Sequence, residues 1–529
     1  MRLHRVGMDR IATCVLAAAC AAAVWLAPAS ARAGDFMDTR LTWTFGDDDL
    51  TKSAGEKVPD SPDVGIGDRK GYELFMDSLN SKTKGRENLT HIVLYKKMPG
   101  FLKGLDTEAG LVLKLDLGNL MGGGNPKVSD VIMDDGTYLR AQWSWAQWTG
   151  QKADRNYLAF TFFPFDTERF RLVYLWDISW GGGNLFRTRR SGPAPGLKFN
   201  LRGDAGPIGL SLYAGLKTAR VSQVIQLGSA DAEEITVQET NYGALVGVGV
   251  DFWEWVRLDL GFGYFQQGTF SRTDELIGDK VYTLGGSGRL TVRQGLPIQN
   301  SVDYMLYRND PDVNVMDWWK ETYQPGKFSW SVSGEFNYLV QNLENVEKYG
   351  STKLQPAYAG AMQAKFKYDH GRLQLVGLVR NLEYVLQNVP SLTPFVALPE
   401  TGTNTTPEWF VAGTLDWYFE KVHLLPFITG GMQIPATFQT EDPKTVQVVR
   451  DATRRDRLPQ GFDVVPIYQL RVGLQWDLSE MFAILGNFQF VYDENLTRLV
   501  IDPTGERQTM REFEDPAAYG FTLMARARF

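Results

Sequence analysis

Hydrophobic side chains recur at every second position along almost the whole chain. Leu41, Trp43 and Phe45 alternate with Thr42 and Thr44; Ala109, Leu111, Leu113, Leu115 and Leu117 share one face while Gly110, Lys114 and Asp116 share the other. The same period returns in Leu197, Phe199 and Leu201, in Val256 to Tyr264, in Phe328 to Val340, in Trp409 to Trp417 and in Tyr468 to Trp476. Period two is the signature of a strand with two unlike faces. Many of these segments run ten residues or more, longer than the strands of most globular sheets and suited to a tilted membrane crossing. No stretch after the leader runs eighteen apolar residues, which excludes a bundle of transmembrane helices. With 43% hydrophobic and 12% aromatic residues the chain is not a disordered one either.

Residues 1–33 read as a cleaved signal peptide. Arg2, Arg5 and Arg10 form a basic start, Ile11 to Leu26 an apolar stretch, and Ala31-Arg32-Ala33 a small-residue cleavage site. Lipidation at Cys20 is disfavoured because Ala21 to Leu26 stay apolar. Both cysteines, Cys14 and Cys20, leave with the leader, so disulfides, thiol catalysis and cysteine-held metals are excluded from residues 34–529. The whole chain has 55 basic and 62 acidic residues; without four arginines and Asp9 of the leader, 51 and 61 remain, a net charge of −10. That acidity argues against nucleic-acid binding.

The two faces differ in the way a membrane sheet requires. The apolar faces carry aromatics near strand ends, among them Trp43, Trp143, Trp145, Trp330, Trp409, Trp417 and Trp476, as in a girdle at lipid headgroups. The polar faces mix Lys, Arg, Asp, Gln and Gly, as in a wet lumen. At the end of the sequence Tyr519, Phe521, Leu523, Ala525, Ala527 and Phe529 fall on one face of a last strand.

That ending resembles the C-terminal signature of bacterial outer-membrane β-barrel proteins. The resemblance covers residues 38–529 at the level of the class. It implies an all-β fold: one transmembrane antiparallel up-and-down barrel over residues 34–529, in the bacterial outer membrane of a Gram-negative cell. It also implies that Tyr519, Phe521, Leu523 and Phe529 form the signal read by the barrel assembly machinery, with lipid and lipopolysaccharide around the barrel. No cofactor is implied.

Counting back from Phe529, the long polar segments 493–514, 438–460 and 386–406 are expected outside the cell. The short turns at Leu478-Ser479-Glu480, Phe419 to Val422 and Asp369-His370-Gly371 are expected in the periplasm. Short turns at 252–255 and 294–297 fall in the opposite phase, so one element is miscounted between 309 and 371. A further strand at Gly71 to Leu79 is an open alternative. The count is about 18 strands, with 16 to 22 allowed, wide enough for an aqueous channel unless a loop fills it.

Strand parity places fourteen basic residues inward: Lys114, Arg140, Lys198, Arg202, Lys217, Arg257, Arg289, Arg293, Lys365, Lys367, Arg380, Arg471, Arg526 and Arg528. Seven acidic ones accompany them: Asp116, Asp251, Asp259, Asp303, Glu335, Asp416 and Asp477. A net positive lumen would favour anions. The competing reading is that these charges pair across strands and only stiffen the wall. Asp47 to Asp49, Asp134-Asp135 and Asp231 to Glu234 are acidic loop candidates for divalent cations. Arg187, Arg189 and Arg190, and Arg454, Arg455 and Arg457, are basic ones for lipopolysaccharide phosphates; plain solvated loops are the simpler account of all five.

His91, His370 and His423 lie far apart, and no G-x-S-x-G, H-E-x-x-H or P-loop spacing is present. The segment Gly65 to Gly71 misses a dinucleotide fingerprint by one place. The chain is therefore expected to be a porin-like channel for small or extended anionic solutes rather than an enzyme. In size and charge alone it is also similar to polysaccharide-export barrels of the alginate-exporter kind. The alternative is a barrel that anchors an export, secretion, adhesion or motility complex, served by a long loop such as 309–326.

Overall fold

Each alternating segment is a strand in the computed structural model. It describes residues 38–47, 50–51, 86–98, 102–121, 127–134, 137–145, 156–165, 194–226, 234–253, 255–270, 273–296, 326–387, 395–441, 444–450, 455–479, 481–501 and 509–528. The barrel strands are β1 (Asp38–Asp47), β2 (Arg86–Met98), β3 (Leu105–Asp116), β4 (Tyr138–Ser144), β5 (Tyr157–Phe163), β6 (Gly196–Ala205), β7 (Ile208–Gln226), β8 (Glu234–Phe252) and β9 (Val256–Thr269). They continue with β10 (Lys280–Gln294), β11 (Phe328–Glu344), β12 (Thr352–Tyr368), β13 (Gly371–Arg380), β14 (Glu408–Trp417), β15 (Leu424–Ile434), β16 (Ile467–Asp477), β17 (Phe482–Tyr492) and β18 (Ala517–Arg528). Every strand pairs antiparallel with its neighbours, and β1 pairs with β18 from Arg40 opposite Arg528 to Asp47 opposite Phe521. The sheet is a closed barrel of 18 strands, with the short piece Ile132–Asp134 added beside β3. The leader, Gly71 to Leu79 and Phe529 lie outside the described residues.

Burial separates the faces strand by strand. On β16, Tyr468, Leu470, Val472, Leu474 and Trp476 are exposed while Gln469, Arg471, Gln475 and Asp477 are buried. On β9, Leu260 and Phe262 are exposed between buried Arg257 and Asp259 and buried Phe265. Such an inverted arrangement, apolar outside and polar inside, is stable only in lipid. Tryptophans crowd one rim: Trp143, Trp253, Trp255, Trp417 and Trp476 are exposed there, with the Trp145 ring tilted against Trp143 at 6.1 Å and Trp330 donating to Gln294 at 3.2 Å. Tyr519 and Leu523 are exposed on the outer face of β18, and the Phe521 ring meets Phe45 of β1 at 5.7 Å across the closing seam.

The rim with short turns carries the connections 206–207, 253–255, 369–370, 418–423 and 478–481. At the first, Gly206 takes φ 63° ahead of Pro207, a backbone state that a side chain disfavours. The 294–297 segment is no short turn. It opens the connection 295–327, which lies at this same rim, and the missed element is the brief return 345–351 at the other rim. With that correction every turn falls in one phase. Residues 297–325, including 309–325 of the long loop, lie outside the described residues.

The opposite rim is built from β-structure rather than plain polar loops. Thr403–Thr406, Ala436–Thr440, Thr445–Val449 and Arg455–Arg457 form a four-stranded sheet, and Thr497–Ile501 pairs with Thr509–Phe513. Arg450 locks two of these loops together, 2.5 Å from both Asp456 and Asp493. Burial alone would lower its pKa; the two carboxylates outweigh that and hold it above its ordinary value. Residues 386–406 are likewise not a simple loop. Asn381 continues the pairing with Tyr358 and also caps a helix, Leu382–Gln387, by accepting from the Tyr384 N–H at 3.1 Å. The helix turns inward, where fully buried Tyr384 accepts from Asn337 at 2.7 Å. The chain returns with Phe395 buried beside Phe270, Leu276 and Leu343, and with backbone bonds between Glu344 and both Phe395 and Ala397.

Two outcomes are expected. Leu260→Arg or Val472→Arg places a cation in lipid near mid-membrane and should cost about 2–4 kcal/mol; Gln475→Arg, on the inner face beside Asp477, should leave the urea unfolding midpoint of the refolded barrel nearly unchanged. At the loop rim, Glu347 accepts from the Glu400 and Thr401 N–H groups and from the Thr401 hydroxyl at 2.9–3.1 Å. These bonds, the Glu400 N–H foremost, hold its carboxyl below the ordinary carboxylate range. The contact therefore contributes above that range and is lost as pH falls through the lowered value. Hydrogen-exchange protection of the Thr401 amide should drop on acidification, and in Glu347→Ala it should already be low at neutral pH.

Candidate functional site

The inner wall holds two unlike arrays of polar side chains. The first is a ladder of alternating charge over β6 to β11. Arg202 reaches Asp251 at 3.1 Å, Arg257 lies 3.0 Å from Asp251 and 2.8 Å from Asp259, and Arg289 lies 3.3 Å from Glu335. Register dictates this order: Arg257 stands opposite Asp251, Asp259 opposite Arg289, and Arg289 opposite Glu335. Ser211 of β7 accepts a further bond from Arg257 at 3.0 Å. Glycine makes the space, since a Cβ at Gly249 would stand 2.4 Å from the Arg257 guanidinium and 2.5 Å from Asp259.

Elsewhere the same pairing recurs singly. Arg140 faces Glu108 at 3.5 Å, Arg372 binds Asp416, and Arg380 binds Glu408, whose other oxygen accepts from Gln433 at 2.7 Å. Lys198 and Lys217 lie over aromatic rings, 5.9 Å from Tyr213 and 5.6 Å from Phe265.

The second array is a row carried by hydrogen-bond register across β11 to β17: Ser331, Lys365, Gln374, Thr414, Thr429, Arg471 and Gln489 stand side by side. The Thr414 and Thr429 hydroxyls are 2.9 Å apart, and Arg471 donates to Gln489 at 2.9 Å. This row contains two cations and no acid. Its members from Lys365 to Gln489 are each at least nine-tenths buried. Nearer the loop rim the inner wall turns apolar, with Tyr138, Phe163, Phe265, Leu339, Leu378 and Phe410 gathered around Tyr384 of the inserted helix.

Of the candidate lumen residues, Arg140, Arg257, Asp259, Arg289, Lys365, Arg380 and Arg471 are buried on the inner face, and Lys198 and Arg202 are half-buried there. The side chains of Lys114 and Arg528, and all of Asp303, lie outside the described residues. Among the described residues, Glu108, Glu408, Asp204 and Arg372 face inward and are not in the parity count. Glu108 and Glu408 each stand one residue ahead of the point where the alternation becomes visible, at Ala109 and Trp409; Asp204 and Arg372 sit beside turns. Among the loop candidates, Arg455 and Arg457 are exposed, while Arg187, Arg189, Arg190, Arg454, Asp48, Asp49, Asp135 and 231–233 lie outside the described residues. Among the described residues no group of three His, Cys, Asp or Glu is placed to hold a metal ion.

A closed sheet of 18 strands, apolar outside and charged within, has one solvent it can live in. The fold is that of a membrane-spanning β-barrel. No protein-family model matches it, and no curated protein matches it in sequence. Solved structures similar to it include OpdK of Pseudomonas aeruginosa with vanillate, 10% identical over 93% of this chain and 98% of that one, with a TM-score of 0.41. A BenF-like porin from Pseudomonas fluorescens Pf-5 is 9% identical over 93% and 98%, with a TM-score of 0.44. OccK8 (OprE) of Pseudomonas aeruginosa is 9% identical over 94% and 99%, with a TM-score of 0.42.

The ladder predicts strong coupling within the wall. Removing one partner of a buried pair costs about 3–5 kcal/mol, whereas replacing both by apolar groups of similar size is close to neutral. Arg289→Met should therefore destabilise the barrel more than the double replacement with Glu335→Leu, as read from a double-mutant cycle of urea unfolding.

Proposed function

We propose that the barrel is a selective channel that passes small anionic solutes across the outer membrane without chemical change. The row from Lys365 to Arg471 carries this reading. The ladder does not, because each of its guanidinium groups faces a carboxylate, and paired charges leave little net field for a passing ion. The row itself brings two cations, Lys365 and Arg471, into one low-dielectric wall with hydroxyl and amide side chains between them, a setting that raises the local concentration of anions.

Charge selectivity should accordingly map to the row. In planar bilayers the parent protein should prefer chloride to potassium, most strongly at low salt. Lys365→Gln with Arg471→Gln should bring that ratio toward one, and Arg257→Gln, within the ladder, should move it much less. A parent without anion preference overturns the reading.

A further inference from the structure

The chemistry between the two cations of the row names a class of solute. Lys365 and Arg471 are four strand spacings apart, about 19 Å along the wall at 4.8 Å per spacing. That exceeds the length of a small organic acid, so a solute leaving one cation for the other must be carried by what lies between. What lies between is Gln374, Thr414 and Thr429, each at most 4% exposed. Gln469 stands one inward position above Arg471, 5% exposed, and its amide nitrogen has no hydrogen-bond partner among the described residues. Gly431, opposite Gln469 on β15, adds no side chain to fill the space between them. One inward step toward the loop rim from Gln374 and Thr414 stand Val376 and Ala412, both buried and apolar.

Hydroxyl and carboxamide groups both donate and accept. A solute bearing hydroxyls can exchange bonds with them one for one, whereas an alkyl chain of the same length offers them no bond in return. A wall built to bond hydroxyls discriminates against analogues that lack them much more sharply than an apolar wall discriminates by size. The adjoining Val376 and Ala412 offer contact to the C–H face of such a solute. We propose that the row between Lys365 and Arg471 is a binding track for polyhydroxylated monocarboxylates, the sugar-acid class, in preference to alkyl carboxylates of equal charge and length. This rests on the channel reading and deepens it.

The test compares gluconate with hexanoate, two six-carbon monoanions, as permeant ions of the full-length protein in planar bilayers, with chloride and potassium measured alongside. Each hydroxyl bond is worth about 1 kcal/mol, roughly fivefold, so the parent should pass gluconate at least fivefold better than hexanoate. Thr414→Val with Thr429→Val removes both hydroxyls at constant shape and leaves neither unpaired; it should lower the gluconate-to-hexanoate ratio severalfold. Gln469→Leu should lower it in the same direction. Heat-modifiable migration confirms that each variant is folded. Equal passage of the two anions by a parent that still prefers chloride to potassium overturns the hydroxyl track alone, as does a ratio unmoved in folded Thr414→Val/Thr429→Val. A parent with no anion preference overturns the channel reading itself, and one that conducts nothing overturns both.

Discussion

Lipid accepts and donates no hydrogen bonds, and everything else in this molecule follows from how the backbone meets that constraint. An open sheet would leave two rows of N–H and C=O groups in hydrocarbon, each costing several kcal/mol. Pairing β1 with β18 removes both rows. Closure in turn commits every strand to an inside and an outside, and the alternation along each strand is the record of that commitment. The exposed Leu470, Val472 and Leu474 and the buried Gln469, Arg471 and Gln475 are neighbours on one strand assigned to different solvents.

Inside the closed wall, charge is managed by register. Because antiparallel neighbours stand directly opposite one another, an arginine placed on one strand can be answered by an acid at a fixed position on the next. Arg257, Asp259 and Arg289 use that rule to neutralise one part of the circumference. Within the part from β12 to β16, the row between Lys365 and Arg471 uses threonine and glutamine instead, flanked by the ion pairs Arg372–Asp416 and Arg380–Glu408.

Fold class, the approximate strand number and the face of most strand residues were legible in the sequence because period two is a local signal that survives without knowledge of any partner. Pairing was not legible, since it depends on register. Glu108 and Glu408 look like strand-end residues until Arg140 and Arg380 are seen opposite them. The inserted helix shows the same limit from the other side. Asn381 and Glu383 read as an ordinary cap and first turn, yet nothing local says that the helix points into the barrel; that is decided by Asn337 and by the apolar wall around Tyr384. The turns at 252–255 and 294–297 fell in the opposite phase because the brief return 345–351, between β11 and β12, went uncounted; Gly295 and Pro297 only made the start of a long connection look like a short turn.

The wall is also unusual in where along the chain its contacts are made. Arg202 to Glu335, the whole ladder, is assembled from six consecutive strands, and the row from Ser331 to Gln489 from seven. Apart from the seam, each barrel strand finds its partners next in order, so nearly every pairing has low sequence separation. Only one contact spans the chain, the closure of β1 on β18. Loop-closure entropy rises slowly with length, so this last step costs little more than it would in a barrel half the size. A curved sheet with its ladder already matched lacks only this one pairing to be sealed, at a seam where Phe45 meets Phe521 and where three arginines, Arg40, Arg526 and Arg528, gather toward the short-turn rim.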